Sequence, residues 1–403
     1  MQLSDARRRR PTQTTPRSSR PHGAGARVAR AALLLTACGA LLGAPRPTAA
    51  DATTGTWTGD VHVRGNYYWE RSTRVIAPTV GVHAVSPKGT RVDVDYLVDS
   101  ITSASVGAGA LEDTRFTELR HDVGVGVGHE LELGERQLDL SGHVNFSREP
   151  DYTSVSGTFG SALSLRQRTT VLNFSGTALH DEVRRRFRGG STIRPGSRFA
   201  DHLNAAVLTA AWSQVINRRL ICEVGYDVAW LHGYLANPYR TVRIGLDNLT
   251  ERHPRLRWRH TLSGRLALYL PRTHSAIKAG LRAYADSWDI RAIAPDVQFY
   301  QALSDFAQLR LTYRYYAQSS AFFYESDPSK YPLDARYFTA DPKMADFHSH
   351  LGGLQLRLAL SFLAGTRMRW LADAVVDFNL DYTWSTSAFG DNVLSELGLT
   401  VPF

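Results

Sequence analysis

The stretch Asn392–Phe403, N-V-L-S-E-L-G-L-T-V-P-F, alternates in polarity and ends on an aromatic side chain. Successive side chains of an extended strand point to opposite faces. One face therefore collects Val393, Leu397, Leu399, Val401 and Phe403, and the other collects Leu394, Glu396, Gly398 and Thr400. Chain ends fray unless something holds them. We expect this strand to pair with the first strand of a closed sheet, which leaves no open edge.

The same period of two returns throughout the chain from Trp57 onward. In 137–147, for example, Leu138, Val144 and Phe146 alternate with polar residues. Such alternation predicts strands. Comparable stretches lie at 60–70, 91–99, 220–232 and 392–403, and others start near Val75, Phe116, Ser154, Thr170, Asn204, Thr261, Ala276, Ile293, Ala307, Gly353 and Val375. The pattern predicts about 16 strands.

The predicted connections alternate between short turns and long loops. Turns are indicated around Pro87–Gly89, Leu133–Glu135, Asn217–Arg218, Pro271–His274 and Ser304–Asp305, and longer loops at 104–114, 181–200, 233–257 and 321–349. Short turns on one side and long loops on the other are typical of outer-membrane barrels. The sequence therefore predicts an all-β fold, a transmembrane antiparallel up-and-down β-barrel.

A soluble β-sandwich would alternate as well, but two features weigh against it. Strands of roughly 9–13 residues suit a tilted bilayer crossing, whereas soluble strands average about 5–6 residues. Aromatic side chains also lie near predicted strand ends, where a membrane interface favours them. This predicted girdle comprises Tyr67, Trp69, Trp230, Tyr234, Trp258, Tyr269, Trp288, Tyr382 and Trp384.

The formal net charge of +9 depends mostly on the first fifty residues. They hold nine of the 47 Lys and Arg and one of the 38 Asp and Glu, which leaves 38 against 37 and a net charge of +1 for the remainder. A nucleic-acid partner is therefore not expected. We predict a signal peptide at 1–50 and a barrel at 51–403.

The predicted leader contains an apolar run, Ala31–Ala44, behind Arg27 and Arg30. Small residues follow, and cleavage is expected after Ala50. Leu35–Cys38 also resembles a lipoprotein box, so Cys38 is either acylated or removed with the leader. Cys222 is the other cysteine, so no disulfide is expected. No run approaches 18 apolar residues, and a transmembrane helix is not predicted.

Five segments carry a family resemblance: Val75–Pro78, Asp99–Ser105, Arg148–Tyr152, Arg282–Trp288 and Tyr313–Tyr324. They are similar to a family of bacterial outer-membrane barrels known only as a domain of unknown function, number thirty-five seventy. The resemblance spans about residues 60 to 403. It implies a secreted outer-membrane barrel of unassigned activity and supplies no catalytic residues. The last strand also resembles the assembly signal of such barrels, which makes Phe403 the expected closure and assembly residue.

Charged residues recur on the polar face of strand after strand. An Arg on the lipid face costs about 2–4 kcal/mol at mid-bilayer, so these side chains should point inward. The predicted lumen-lining residues are Arg64, Arg91, Asp93, Asp95, Asp99, Glu223, Asp227, Arg265, Arg282, Arg310, Arg314, Arg357, Asp377 and Asp381. Sixteen strands leave room for water, which favours a hydrated lumen over a salt-bridged plug.

Two further groups invite a chemical interpretation. His348 and His350 follow Asp341 and Asp346 in the predicted loop 321–349, where they are weak candidates for metal ligands. A solvated polar loop is favoured there, and no metal or other cofactor is expected. Ser141, His143 and Asn145 alternate on one strand face, as in some hydrolases, although lumen lining is the favoured interpretation.

The favoured function is a porin or transport conduit in the outer membrane of a Gram-negative bacterium, without enzymatic activity. One alternative is a barrel sleeve that holds a periplasmic or surface protein, such as an electron carrier. A less favoured alternative is a barrel hydrolase. The expected partners are outer-membrane lipid and the barrel-assembly machinery. The aromatic and proline-rich loop 321–349 is expected to pack at the barrel mouth and limit passage.

Overall fold

The computed structural model describes residues 55–71, 73–104, 115–185 and 199–403. Its alternating segments are extended because alternation gives each strand one apolar and one polar face. The strands are β1 (Thr58–Glu70), β2 (Thr73–Val85), β3 (Thr90–Ala104), β4 (Arg115–Leu133), β5 (Arg136–Glu149), β6 (Tyr152–Leu165), β7 (Thr170–Arg185), β8 (Phe199–Asn217), β9 (Leu220–Gly233), β10 (Thr241–Ile244), β11 (Asp247–Thr250), β12 (Leu256–Leu270), β13 (Ser275–Asp286), β14 (Arg291–Ser304), β15 (Ala307–Gln318), β16 (Phe347–Ala359), β17 (Val375–Ser385) and β18 (Asn392–Pro402).

All strands except β10 and β11 form one closed barrel, in which neighbours along the chain pair antiparallel. Closure is made by β1 and β18, whose register runs from Asp60 opposite Pro402 to Glu70 opposite Asn392. Gly59 and Phe403 continue this ladder through two backbone hydrogen bonds of 3.0 and 2.8 Å. The predicted architecture of about 16 barrel strands, closed through the last one, is confirmed.

The two rims of the barrel differ. One rim, here called the turn rim, has short connections at 86–89, 134–135, 166–169, 218–219, 271–274 and 305–306. The tight turn at 134–135 uses Gly134 with φ +66°, a conformation that glycine adopts without steric cost. The connection 360–374 departs from the prediction, because it is long and contains 3-10 helices at Leu360–Leu363 and Arg369–Leu371.

The opposite rim, here called the loop rim, carries the long segments 234–255 and 319–346. Strand β16 begins at Phe347, so the predicted loop 321–349 is too long at its end. The predicted leader at 1–50 lies outside the described residues, as does most of the predicted loops 104–114 and 181–200. No helix in the described residues is long and apolar enough to cross a membrane.

The barrel wall and the loop rim place apolar side chains differently. Along the wall, large apolar side chains such as Val144 and Phe159 are exposed, at 60% and 58% of their surface. At the loop rim, by contrast, Val242, Trp288 and Phe338 are almost completely buried. Among the described residues, the packed hydrophobic clusters therefore lie in the loops that meet the barrel mouth.

Candidate functional site: a charged lumen beneath a two-loop lid

The strand register decides which side chains share a face. Val63 lies opposite Val80 and Leu399, and Arg64 lies opposite Thr79 and Gly398. Continued around the barrel, the exposed apolar side chains fall on one face and the charged side chains on the other. The charged face carries all fourteen residues predicted to line the lumen, namely Arg64, Arg91, Asp93, Asp95, Asp99, Glu223, Asp227, Arg265, Arg282, Arg310, Arg314, Arg357, Asp377 and Asp381.

Contacts that skip a strand identify the charged face as the concave one. The Arg91 guanidinium on β3 reaches the Asp139 carboxylate on β5 at 2.6 Å. It passes over Gly128 of β4, where an added Cβ would lie 2.7 Å from Arg91. Side chains diverge on the outside of a barrel and converge on its inside, so the charged face is the inner face. Its role in lining a water-filled passage stays a prediction.

Some of the predicted inner residues are paired and others are not. Asp99 forms an ion pair with Arg120, Arg64 lies 3.7 Å from Glu396, and Arg265 lies 3.8 Å from Glu223. Other partners are polar: Asp93 and Asp95 bond to His83 and His62, Asp227 accepts from Thr209, and Arg310 and Asp381 contact Asn379. Arg282, Arg314, Arg357 and Asp377 make no ion pair within the described residues.

The inner charges are sorted around the barrel. Five consecutive strands, β12–β16, are here called the basic sector because their inner face carries eight cations, Arg257, Arg259, Arg265, Lys278, Arg282, Arg310, Arg314 and Arg357, against the two carboxylates Asp286 and Asp296. On the other strands carboxylates predominate, among them Asp95, Asp139, Asp227 and Asp377. A solute in the lumen would therefore meet a basic wall on one side and an acidic wall on the other.

The segments 234–255 and 319–346 pack together into one unit, here called the lid. Val242 and Ile244 of the β10–β11 hairpin pack against Tyr331 and Phe338 of the second segment. The backbones also pair, since Arg252 and Phe338 exchange hydrogen bonds of 3.0 and 2.9 Å. A second cluster joins Ala321 and Phe323 to Trp288 and Ile290, which follow β13. Apolar burial of this kind stabilises a folded arrangement of the two segments.

A buried ion triad, Arg240, Glu251 and Asp341, ties the two lid segments together. The Arg240 guanidinium, 1% exposed, lies 2.7 Å from the Asp341 carboxylate and 3.7 Å from that of Glu251. The Glu251 carboxylate also accepts from the Asn237 backbone at 2.6 Å and from the Thr339 hydroxyl at 2.8 Å. Removing one partner of such a buried pair leaves an uncompensated charge, which is strongly destabilising.

The charges of the triad shift its ionisation. Burial raises the pKa of the Asp341 carboxyl, but Arg240 and Lys343 outweigh burial and hold that pKa below its ordinary value. Burial likewise lowers the pKa of Arg240, yet Asp341 and Glu251 reverse the effect and raise it. For Lys343 burial prevails over the attraction of Asp341 and Glu70, and its pKa is lowered. Arg240 and Asp341 are therefore both charged at neutral pH.

The lid lies inside the barrel mouth rather than beside it. Its contacts on the wall are inner-face side chains: the Gln318 amide donates to the Lys343 carbonyl at 2.9 Å, and Tyr284 packs on the second cluster. The lid also contacts connections of the loop rim: Tyr239 donates to Asp151 of the β5–β6 turn at 2.5 Å. Lys343 lies 5.8 Å from the Phe389 ring of the β17–β18 connection. The lid thus reaches turns on separate parts of the loop rim.

Two predictions about aromatic and histidine residues need correction. Trp288 is not part of an exterior girdle, because it is 2% exposed, packs against Phe323 of the lid and donates to the Leu256 carbonyl at 3.1 Å. His348 and His350 lie in strand β16 rather than in a loop. They face outward among aromatic side chains, with Trp384 5.6 and 5.4 Å from their rings. Among the described residues, no group of three or more His, Cys, Asp or Glu is arranged to hold a metal ion.

The remaining candidates belong to the wall. Ser141, His143 and Asn145 lie on the inner face of β5, and the Asn145 amide donates to Asp122 at 2.5 Å. Cys222 lies on the outer face of β9, opposite Leu266 and Gln214. Arg240 and Glu251 are not among the residues predicted from the sequence, since no local motif distinguishes them from the other charged residues of the loop rim.

These features define a class: a closed antiparallel β-barrel of sixteen strands with a charged inner face and a lid in its mouth. Within that class the chain belongs to the family described as "Protein of unknown function (DUF3570)", which matches residues 106–373. The family resemblance noted in the sequence is thereby confirmed. No curated protein matches the chain.

Several solved structures share the barrel shape at low identity. OccK3 (OpdO) of Pseudomonas aeruginosa is 10% identical, with a TM-score of 0.34 over 86% of this chain and 95% of that chain. OprD of Pseudomonas aeruginosa is 7% identical, with a TM-score of 0.42 over 86% and 94%. A bacterial polysaccharide outer membrane secretin is 10% identical, with a TM-score of 0.45 over 86% and 98%. Likeness at this level concerns the shape of the barrel and carries no argument about function.

Proposed function

We propose that the protein is an outer-membrane conduit for small polar solutes, and that the lid closes its extracellular mouth. The observation that carries this proposal is the pairing of a charged inner face with a folded lid seated inside one rim. The exposed apolar outer face suits lipid. Charged side chains on the inner face need water or partners, because burying an isolated charge costs several kcal/mol.

The width of the barrel supports a hydrated lumen. Sixteen strands spaced ~4.8 Å apart and tilted by ~40° enclose a backbone circle ~30 Å across. Side chains on both walls leave roughly 20 Å between them, which is ample for water and small solutes. Long loops face the exterior in barrels of this type, so the loop rim and its lid are assigned to the extracellular side.

The lid is suited to gating because contacts between its own two segments add to the contacts that it makes with the wall. Its two segments hold each other through the clusters around Phe338 and Trp288 and through the Arg240 triad. The barrel ladder, in contrast, is continuous beneath the lid from β1 to β18. A local opening of the lid can therefore occur while the barrel remains closed.

A sleeve around a protein partner is favoured less by this geometry. Protein interfaces usually have an apolar centre with few charges. The described inner face is instead lined by charges and small polar groups, such as Arg282, Asp227 and Ser141. The test below therefore includes the sleeve as one of its outcomes. The hydrolase alternative is also favoured less, because the described residues contain no assembled nucleophile and base.

The test is conductance of the purified protein in planar bilayers, before and after replacing 326–346 with a Gly-Ser pair. This deletion removes Tyr331, Phe338 and Asp341 but keeps β15 and β16. We expect low or flickering conductance for the intact protein and a larger, steady conductance for the variant. A matched shortening at the turn rim, within 364–370, should leave conductance unchanged.

Heat-modifiable migration in electrophoresis would verify that each barrel has folded. Folded variants that stay silent with and without the lid segment would overturn the conduit and favour the sleeve. Conductance and solute-size limit that are unchanged by the deletion would remove the lid from the permeation path and leave the conduit itself intact.

A further inference from the structure

Asp286, one of the two carboxylates of the basic sector, is fully committed to its neighbours. Its Oδ2 accepts from Arg257 Nε at 2.8 Å and from the Tyr284 hydroxyl at 2.7 Å. Its Oδ1 accepts from the backbone N–H groups of Trp288 and Ile290 at 2.9 and 3.0 Å. A carboxylate offers about four lone-pair sites, so Asp286 has none left for a further cation.

Arg259 lies directly opposite Asp286 in the β12–β13 register. It is the cation for which Asp286 has no acceptor site left. Within the described residues its guanidinium has no ion pair, and its Nε is buried without a hydrogen-bond acceptor. The charge that lies beside it on the same face belongs to Arg257, which is paired with Asp286 and stacked 4.0 Å over the Trp288 ring. The protein thus leaves a cation without an anion just beneath the lid.

The Arg259 side chain lies on the inner face of the barrel. Arg259 is half-buried as a whole, although its Nε is covered. Thr261, the next residue on the same inner face, is buried at 3% exposure and lies opposite Tyr284. A guanidinium presents a planar fork of N–H donors that suits the paired oxygens of carboxylates and phosphates. An oxyanion bound here would supply the acceptor that the protein withholds.

Deeper cations continue from this position. Counted from the loop-rim end of each strand, Arg259 is the fourth residue, Arg282 and Arg314 are the fifth, and Arg357 is the eleventh. At ~3.3 Å per residue the set extends over roughly 23 Å of strand. The charge of Arg282 interacts with those of Arg314 and Arg265, and also with the carboxylates of Asp227 and Asp296. Like charges held together without sufficient carboxylates attract anions from solution.

The acidic wall does not cancel this attraction. The flanking strands β9 and β17 do place Glu223 opposite Arg265 and Asp377 opposite Arg357. The carboxylates on the strands across the lumen lie roughly 20 Å away, whereas the screening length at physiological salt is about 8 Å. An anion at the basic wall therefore experiences mainly the cations next to it. The acidic wall instead disfavours anions elsewhere in the lumen, which confines them to the basic sector.

We propose that Arg259 is the outermost station of an oxyanion-binding track along the basic sector, and that the solutes carry a carboxylate or phosphate group. The proposal rests on the proposed function in one respect, that solutes reach the track through the lumen. Binding to Arg259 is nevertheless a property of the folded barrel, whether or not it conducts.

The first experiment measures binding directly, by calorimetry on the full folded chain in detergent with inorganic phosphate and with succinate as probes. The variants are Arg259→Gln and the control Arg64→Gln, which removes an equal inner charge that is already 3.7 Å from Glu396. We expect the dissociation constant to rise at least tenfold in Arg259→Gln and to change less than twofold in Arg64→Gln. Arg259→Lys should restore binding in part, because it keeps the charge without the fork.

The probes also separate the two ligand chemistries. Binding of phosphate alone assigns the track to phosphorylated solutes, succinate alone assigns it to carboxylates, and both assign it to oxyanions in general. No measurable binding of either probe, or equal losses in Arg259→Gln and Arg64→Gln, would overturn the proposal. Electrophoretic heat-modifiability identifies variants that have not folded, and Arg259→Lys then serves as the test.

A second experiment distinguishes this proposal from the conduit. In bilayers, phosphate or succinate should reduce the chloride current of the intact protein, with a half-blocking concentration raised at least tenfold by Arg259→Gln. A silent barrel that binds phosphate through Arg259 would refute the conduit and keep the site. A conducting barrel with no effect of either anion would refute the site and keep the conduit.

Discussion

Replacing Asp341 with asparagine is expected to open the lid, and the chain offers a matched control at Asp327. Both carboxylates cap a 3-10 turn that begins with proline, at Pro328–Lys330 and Pro342–Met344, and each accepts from a backbone N–H at 3.0 Å. Asparagine caps such turns about as well as aspartate. The two sites differ in burial and in the ion pair, which only Asp341 makes with Arg240.

The magnitude follows from the burial of that pair. Arg240 is 1% exposed, and after the substitution it would keep Glu251 at 3.7 Å as its remaining carboxylate. Breaking a buried ion pair by removing one partner costs about 3–5 kcal/mol. Allowing for the remaining carboxylate, we take about 3 kcal/mol as the shift of the lid equilibrium, which is roughly a 100-fold increase in the ratio of open to closed lid. Asp327 is exposed, so Asp327→Asn should shift that ratio less than twofold.

The assay is single-channel recording combined with swelling of liposomes in sugars of increasing size. Asp341→Asn should raise the open probability and admit larger sugars, whereas Asp327→Asn should behave as the unaltered protein does. Equal behaviour of the two variants, with both barrels folded, would show that the triad does not hold the mouth closed. A second carboxylate variant, Glu251→Gln, should act in the same direction as Asp341→Asn.

Two further predictions concern pH and strand facing. Since the folded-state pKa of Asp341 is depressed, its contribution to lid stability is present above the ordinary carboxyl pKa of about 3.9 and is lost as pH falls through the lower folded value. Conductance of the unaltered protein should therefore approach that of Asp341→Asn only below about pH 4; a difference between them that persists in acid would contradict this. Cys222 faces outward on β9, so it should react slowly with a membrane-impermeant thiol reagent, whereas Glu223→Cys in a Cys222→Ser background should react readily. The reverse pattern would mean that the register is displaced by one residue.

The barrel could be predicted from the sequence because every strand follows one rule, an apolar outer face and a polar inner face. In Gln137–Ser147 and in Asn392–Phe403 the alternation alone assigns each side chain to a face, and the observed register agrees. Strands of this kind need no long-range information beyond pairing with their neighbours. Two tight turns can also be predicted from the sequence, because they contain Gly89 and Gly134, which adopt positive φ.

Other turns gave no such signal. At 166–169 the residues Arg166, Gln167 and Arg168 adopt positive φ of 49°, 55° and 66° without any glycine, so composition does not mark this turn. The connection 360–374 is rich in apolar residues and contains two 3-10 helices, so its composition does not indicate a long loop. The expectation of short connections at this rim comes from a statistical pattern of barrels, and single connections can depart from it.

The contacts within the lid could not be predicted from the sequence, for a different reason. Arg240, Glu251 and Asp341 are separated along the chain, and nothing in their local spacing indicates that they meet. The aromatic residues of the second lid segment predicted packing at the mouth, but they did not identify the segment 234–255 as its partner. A position near a strand end, such as that of Trp288, is the same for a residue of an exterior girdle and for a residue buried beneath the lid. Its burial depends on Phe323, which arrives from another loop.

The apolar side chains of the barrel wall and those of the lid have different surroundings. This difference makes it physically reasonable for the lid to open while the barrel stays folded. The barrel wall exposes apolar side chains such as Phe159, which lipid would cover under the proposed function. The lid buries Phe338 and Trp288 away from water, so the ordinary hydrophobic effect stabilises it. Its Arg240 triad then adds an interaction that one proton on Asp341 can remove. A fall in pH therefore acts on the lid selectively. The barrel wall is held by a backbone hydrogen-bond ladder, closed through β1 and β18, which does not depend on that protonation.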